Sequence, residues 1–132
     1  MAFFLLDTSV VIDHLNGRFG RTEFLKKLVA QGSELATCSV VITEIYAGLR
    51  SGEEAKTAAL VDSMRSLPIT PQTAKTAGLL MRDWKKKGRT LSYTDATIAA
   101  VAIVHEIELL TDNRKHFPMS ELRMFRLPER ER

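Results

Sequence analysis

The chain has 132 residues, of which 45% are apolar and 27% charged, and this balance predicts that residues 1–132 form one globular domain. Lysines and arginines number 19 against 16 aspartates and glutamates, so the net charge of +3 allows nucleic-acid binding without demonstrating it. The single cysteine, Cys38, excludes an intramolecular disulfide and a thiolate metal cluster, and the short apolar runs predict a cytoplasmic protein without a membrane partner.

The chain begins with a predicted buried strand. Phe3 to Leu6 is apolar without alternation, as in a strand covered on both faces of a parallel sheet, and it ends at Asp7. Thr8-Ser9 is expected to cap a short helix. Thr22 is expected to cap a second helix, which stops at Gly32.

A second strand and two further helices are predicted next. Leu35 to Cys38 predicts a short strand, and a helix that begins at Ser39 carries Glu44 among apolar neighbours. A further helix is expected over Glu53 to Ser66. The segment from Leu67 to Ile69 is then expected to be briefly extended.

Two long helices are predicted in the second half of the chain. Thr70-Pro71 is a strong helix start, because threonine caps well and proline has a suitable φ at the first helical position. The apolar run from Ala96 to Val104 predicts a buried helix, and Thr94 or Asp95 is expected to cap it.

The last predicted elements are strands at Glu108 to Thr111 and at Met124 to Leu127. Strands therefore alternate with helices along most of the chain. This alternation predicts a three-layer α/β/α domain with a mainly parallel central sheet of four or five strands.

Three carboxylates occupy places where an ordinary soluble fold has little reason to put one. Asp7 ends the first strand, Glu44 lies in an apolar segment, and Asp95 opens an apolar helix. Ligands of α/β sheets bind beyond the carboxyl ends of the strands, and Thr111-Asp112-Asn113 follows another such end. One crevice can therefore collect all of these residues.

Clustered carboxylates repel one another, and a bound cation would remove that cost. All the candidate ligands are oxygen donors, which favours Mg²⁺, or Mn²⁺ in its place, over zinc. Magnesium commonly meets its substrate through phosphate oxygens, so phosphodiester hydrolysis is the expected chemistry.

Structural explanations stand beside this one. Asp7 and Asp95 would each serve as a helix cap, and Glu44 would pair with Arg50 or Lys56 on the surface. The basic run Lys85 to Arg89 would complement the dipole at a helix C-terminus. Only a location close to the acidic crevice would favour contact with RNA instead.

Through these residues and the segments around them, the chain resembles the PIN-domain ribonucleases and, within that family, the VapC-type toxins of toxin–antitoxin pairs. The resemblance is nearly full length and rests on four segments in the family's order: Phe4 to Ile12 with Asp7, Ser39 to Leu49 with Glu44, Leu91 to Ala100 with Asp95, and Leu109 to Phe117 with Thr111, Asp112 and Asn113.

The resemblance implies a magnesium-dependent endoribonuclease that cuts RNA with a metal-activated water. Asp7 and Asp95 are expected to bind the metal, and Glu44 to bind it or to orient the attacking water. Thr8 and Ser9 are expected to hold ligands or phosphate in place, together with Thr111 at the fourth segment. The resemblance also implies a homodimer that a cognate antitoxin keeps inactive.

The fourth segment departs from the family pattern. His116 stands where relatives often have an acid, and Asn113 is an amide. Either Asp112 supplies the missing charge or Asn113 completes the site through hydrogen bonds.

Two other functions are compatible with parts of the sequence. A catalytically weak PIN-like module would bind RNA or protein and keep the acidic pocket. A response-regulator phosphotransfer domain also gathers carboxylates at strand ends. That class expects adjacent acids after the first strand, where this chain has Thr8-Ser9, and a lysine after a late strand, which this chain lacks until Lys115.

Overall fold

The structure, a computed structural model, describes residues 2–129, and Met1 and residues 130–132 of the expected domain lie outside that part. The described strands are β1 (Phe3–Leu6), β2 (Glu34–Cys38), β3 (Arg65–Leu67), β4 (Glu108–Leu110) and β5 (Met124–Phe125). The helices are α1 (Thr8–Leu15), α2 (Arg21–Ala30), α3 (Ser39–Ala47), α4 (Glu54–Ser63), α5 (Pro71–Lys86) and α6 (Tyr93–Val104), and Arg114–His116 forms a 3₁₀ helix.

The strands pair in the order β3-β2-β1-β4-β5, and every pairing in the sheet is parallel. The expected α/β class with a parallel sheet is therefore confirmed, with five strands and flanking helices. The chain moves from β1 through β2 to β3 on one side and then crosses to β4 on the other side of β1. The carboxyl ends of β1 and β4 thus form a topological switch point, the usual location of a ligand crevice in open α/β sheets.

The core lies around β1 and α6. Phe4, Leu5 and Leu6 are buried, as a central strand with neighbours on both sides requires. Helix α6 is buried from Ala96 to Ala102, and its alanines let it pack closely against α5. This helix is apolar almost all round because it lies inside the molecule.

The predicted boundary between the fourth helix and its strand was wrong. Helix α4 ends at Ser63, whereas the sequence predicted a helix to Ser66. Met64 is already extended, and β3 pairs Arg65 to Leu67 with the end of β2. Sheet pairing and the burial of Met64 and Leu67 outweigh the local preference for helix.

Three expected helix caps were also wrong. Asp7 caps α1, which confirms the structural explanation given for that aspartate and not the cap expected from Thr8-Ser9. Helix α2 follows Gly20, which has a φ of 69° that suits glycine, and Thr22 lies inside the helix and bonds His14. Ser92 caps α6, where Thr94 or Asp95 was expected. The expected cap of α5 by Thr70 is confirmed.

Within residues 2–129, no helix is both long and apolar enough to span a membrane.

Candidate active site

Asp7 lies at the switch point of the sheet. Its backbone N–H donates to the Leu110 carbonyl at 2.9 Å, which continues the pairing of β1 with β4, and the residue is only 5% exposed. The Thr8 N–H donates to its Oδ1 at 2.8 Å, and the Thr111 hydroxyl donates to its Oδ2 at 2.6 Å. Asp7 therefore caps α1 with one oxygen and is anchored to the end of β4 with the other.

Thr111 connects the candidate fourth segment to Asp7. Its Oγ1 accepts the Asn113 N–H at 2.9 Å while its hydroxyl donates to Asp7. The Ser9 hydroxyl lies 3.5 Å from Asp7 Oδ2, a long contact. Thr111 thus fixes both the Asp7 carboxylate and the turn that carries Asn113, an exposed residue.

Glu44 projects from α3 beside the start of α1. The Thr8 hydroxyl donates to Glu44 Oε1 at 2.5 Å. In the described part of the chain Glu44 forms no salt bridge with Arg50 or Lys56, and the Lys56 ammonium donates to the Leu15 carbonyl instead. The surface ion pair considered for Glu44 is therefore absent there, and Thr8 joins Glu44 to the segment of Asp7.

Asp95 is not the cap of α6. The Ser92 hydroxyl accepts the Asp95 N–H at 3.0 Å, so the Asp95 side chain is not used for capping. Its carboxylate is 23% exposed and lies 3.5 Å from His116 Nδ1. The spacing of Ser92 and Asp95 is that of a capping box, and this signal identifies the cap from sequence.

The three carboxylates share one electrostatic environment. Burial raises the pKa of the Asp7 carboxyl above its ordinary value, hydrogen bonds from Thr111 and Thr8 oppose the rise, and the charges of Asp95 and Glu44 add to it. No salt bridge between Asp7 and a lysine or arginine is found in residues 2–129. The structure therefore brings Asp7, Glu44 and Asp95 together without a fixed cation beside Asp7.

Cys38 lies at the edge of the same environment, a position that its sequence did not indicate. Burial raises the pKa of its thiol, and the charges of Asp7 and Glu44 raise it further, against hydrogen bonds from the backbone of Val41 and Val40. Cys38 is fully buried and is held as a neutral thiol.

Asp112 is engaged on another side. The Arg21 guanidinium donates to Asp112 Oδ1 at 2.6 Å and to Oδ2 at 3.1 Å, and it also donates to the Pro128 carbonyl at 3.0 Å. Arg21 is 1% exposed. Sequence reasoning missed this residue, because one arginine in an amphipathic helix gives no sign of being buried.

The donor chemistry of the centre suits a hard cation, although the side chains do not form a closed cage. Among residues 2–129, no three His, Cys, Asp or Glu side chains are placed to hold a metal ion together. Thr8 contacts both Asp7 and Glu44, through its N–H and its hydroxyl respectively, whereas Asp95 lies beside His116. Magnesium usually binds through one or two carboxylates, waters and phosphates, so a partial ligand set of oxygens fits it.

Comparison with known proteins identifies the family of this fold. The family model described as "PIN domain" matches residues 4–120. Ribonuclease VapC19 of Mycobacterium tuberculosis is 36% identical over 115 residues, which cover 87% of this chain and 92% of that protein.

Two solved structures have the same fold. A toxin–antitoxin complex from Klebsiella pneumoniae includes a chain that matches with a TM-score of 0.74 and 26% identity, covering 92% of this chain and 95% of that one. VapBC2 from Rickettsia felis, solved bound to a promoter DNA fragment, matches with a TM-score of 0.82 and 22% identity, covering 93% and 97%.

Proposed function

Because the chain belongs to the PIN-domain family, and within it to the VapC group, we propose that it is a metal-dependent endoribonuclease and the toxin of a toxin–antitoxin pair. The observation that carries the proposal is the grouping of Asp7, Glu44 and Asp95 at the switch point, where the charges of Asp95 and Glu44 add to the rise in the pKa of the buried Asp7 carboxyl. The relatives are named ribonucleases, so a module without activity is not favoured.

Mg²⁺ is the proposed cofactor, and Mn²⁺ is expected to replace it. Asp7 and Asp95 would hold the ion, because Asp7 is buried without a salt bridge to any lysine or arginine among residues 2–129 and Ser92 caps α6 in place of Asp95. The neutral thiol of Cys38 offers no thiolate to a softer metal. When bound, the ion would lower the pKa of the attacking water and neutralise charge that develops on the phosphate oxygens.

The protein residues position the other reactants. Glu44, an exposed residue oriented by the Thr8 hydroxyl, would orient the attacking water and accept its proton at a carboxylate oxygen. The water oxygen would then form a bond to phosphorus as the bond to the leaving oxygen breaks, and solvent would return a proton to that oxygen. Thr111 and Ser9 would keep the Asp7 carboxylate in position.

Asn113 is the better candidate for the fourth position of the site. Both oxygens of Asp112 accept from the buried Arg21, which supports a structural role for that carboxylate. Asn113 is exposed, and its backbone bonds the same threonine that holds Asp7. Its amide would contact the metal's water or the phosphate through hydrogen bonds.

The proposed partners are an RNA substrate and a cognate antitoxin. The Klebsiella pneumoniae structure is described as a toxin–antitoxin complex, and its matched chain shares 26% identity with this one. The homodimer and the cytoplasmic location expected from the sequence stay predictions. Light scattering of the purified protein tests the first.

Substitution of a proposed metal ligand tests the function. Asp7→Asn and Asp95→Asn should each abolish Mg²⁺-dependent cleavage of total RNA, because they remove a ligand charge with little change of volume. Asp83→Asn is the matched control, since Asp83 is exposed and pairs only with the neighbouring Arg82 in the structure as described. Cleavage is measured on gels with purified protein, with and without EDTA.

Expression in a host without the antitoxin gives a second measurement. The unmodified protein and the Asp83→Asn variant should stop growth, and the Asp7→Asn variant should be harmless. Undiminished RNA cleavage by both Asp7→Asn and Asp95→Asn would reject the site, and no cleavage by the unmodified protein with Mg²⁺ or Mn²⁺ would reject the activity.

A further inference from the structure

Two basic segments distant in sequence meet beside the acidic centre. The first covers the last turn of α5 and the residues just after it, with Lys85, Lys86, Lys87 and Arg89, and the second is the 3₁₀ helix, with Arg114 and Lys115. The Arg89 guanidinium donates to the Lys115 carbonyl and so joins them. These six exposed residues are called the basic strip below.

The basic strip borders the proposed catalytic residues at both ends of the 3₁₀ helix. Asn113, which precedes this helix, donates its N–H to Thr111, the residue that holds Asp7. His116, which ends the helix, lies 3.5 Å from the Asp95 carboxylate. The cations of Arg114 and Lys115 are therefore carried by a turn whose two ends contact the site.

The charges of the basic strip have no carboxylate partners among residues 2–129. Arg21, Arg65 and Arg82 form salt bridges there, and none of the six strip residues does. The Lys87 ammonium lies 4.4 Å from the centre of the Trp84 ring, a contact that orients it without neutralising it. Interaction with the α5 dipole explains Lys85 and Lys86, but a dipole effect confined to the last turn does not explain Arg114 and Lys115.

We propose that the basic strip binds backbone phosphates of single-stranded RNA on one side of the bond that is cut, an inference that rests on the proposed ribonuclease function. The acidic centre repels a polyanion, so the enzyme needs cations next to it to hold the RNA. Lysine and arginine contacts to phosphates supply affinity and position without reading sequence. The basic strip therefore contributes to substrate binding in general, and other residues determine the cleavage sequence.

Binding without cleavage tests the basic strip directly. The strip variant is Lys87→Gln, Arg114→Gln and Lys115→Gln, and the control variant is Lys26→Gln, Lys27→Gln and Lys75→Gln, which removes equal charge from exposed positions on α2 and the first half of α5. Both are made in the Asp7→Asn protein, so that RNA is not cut. The probe is a fluorescein-labelled single-stranded RNA of mixed sequence, measured by anisotropy in KCl from about 50 to 200 mM.

The strip variant should bind the RNA more weakly, and its plot of log affinity against log salt should be less steep by about two, since each lost phosphate contact removes about 0.7 for single strands. The control variant should keep the slope of its parent. Equal slopes for the two variants would overturn the proposal. Tighter binding of an oligoglutamate peptide than of RNA would also overturn it, because the basic strip would then fit an acidic protein partner.

Kinetics separates substrate binding from a structural role. With Asp7 restored, the strip variant should raise KM for RNA and leave kcat nearly unchanged, because flanking phosphates contribute equally before and during reaction. A lower kcat with an unchanged KM would instead show that the substitutions disturb the turn at Asn113, and would overturn the proposal. Failure of the proposed function is distinguishable, because the unmodified protein would then cut no RNA while the anisotropy measurement still reports on the basic strip.

Discussion

Two aspartates follow the carboxyl ends of neighbouring strands, and the protein treats their charges in opposite ways. Asp112, after β4, accepts two hydrogen bonds from an arginine that is itself 1% exposed. Asp7, after β1, is 5% exposed and is held by hydroxyl and backbone donors, near the charges of Asp95 and Glu44. The fold is thus able to bury a cation against one carboxylate and leaves the other without one in the described residues.

We interpret this difference as one between a carboxylate that serves stability, Asp112, and one that is proposed to serve function, Asp7. The Arg21–Asp112 pair is complete within the protein and connects α2, the end of β4 and the segment at Pro128. Asp7 remains energetically unfavourable as an anion until something outside the chain compensates it. If this contrast is correct, removing charge should destabilise the first region and stabilise the second.

The largest effect is expected from breaking the buried pair. Arg21→Leu should lower the free energy of unfolding by about 3 to 5 kcal/mol, because it removes the two hydrogen bonds that the buried guanidinium donates to the Asp112 carboxylate, which is 12% exposed. Urea denaturation followed by circular dichroism measures this change. The surface pair of Arg65 with Glu34, at 3.6 Å and with both side chains well exposed, is the control, and Arg65→Leu should cost no more than about 1 kcal/mol.

Adding Asp112→Asn to Arg21→Leu should restore part of the lost stability, since it removes the carboxylate charge that Arg21 compensated. Equal losses from Arg21→Leu and Arg65→Leu would mean that burial of Arg21 has little energetic importance, and the contrast between the two aspartates would fail.

The Arg21 pair shows what the sequence cannot reveal. Its partners are 91 positions apart, and nothing in the sequence connects Asp112 of the fourth segment with Arg21, so only the tertiary structure brings them together. Asp7, by contrast, was predictable because the end of a buried parallel strand places a residue at the ligand-binding edge of the sheet. The strands and helices were predictable because the spacing of apolar residues indicates them directly. The order of the strands in the sheet was not predictable in this way and required the structure.

The errors in the sequence predictions have local causes. Asp95 was considered a cap of α6, although Ser92 at capping-box spacing performs that role. The sequence predicted that α4 ends at Ser66, because it does not show that Arg65 to Leu67 pair with β2 as an edge strand. Neither error affected the prediction that the carboxylates lie near one crevice, because that prediction rested on the carboxyl edge of the parallel sheet.

A smaller effect on stability is expected from a change at Thr111, the residue that anchors Asp7. Thr111→Val should destabilise the protein by about 2 kcal/mol, because it removes a hydrogen bond to a charged group at nearly constant volume. It should also lower RNA cleavage by loosening Asp7. Thr97→Val is the control, since the buried Thr97 hydroxyl donates to the neutral Tyr93 carbonyl, and its cost should be smaller. Equal costs in thermal denaturation would remove the special role of Thr111.

The opposite sign is expected at Asp7 itself. In EDTA, Asp7→Asn should stabilise the protein by about 1 kcal/mol, or roughly 4 °C in Tm, because it removes a buried charge while the asparagine oxygen still caps α1 and its amide can donate to the Thr111 hydroxyl oxygen. Added Mg²⁺ should raise the Tm of the unmodified protein and not that of the variant, because only the former keeps the proposed ligand charge of Asp7. Asp83→Asn should change neither value. A variant less stable than its parent in EDTA would show that the Asp7 charge is compensated within the chain.

The smallest effect concerns pH and isolates the Asp7 carboxyl. Its pKa is raised in the folded protein, so between the ordinary and the raised value the folded state binds more protons than the unfolded state. Stability contributed by protonated Asp7 is therefore lost as pH rises through this window, and the loss is complete above the raised pKa. In EDTA, the advantage of Asp7→Asn over the parent should grow from about pH 4 upward and then level off, as measured by urea denaturation at each pH. An advantage that shrinks with rising pH would mean that the folded protein favours the Asp7 anion, as it would if a cation of the chain itself were paired with Asp7.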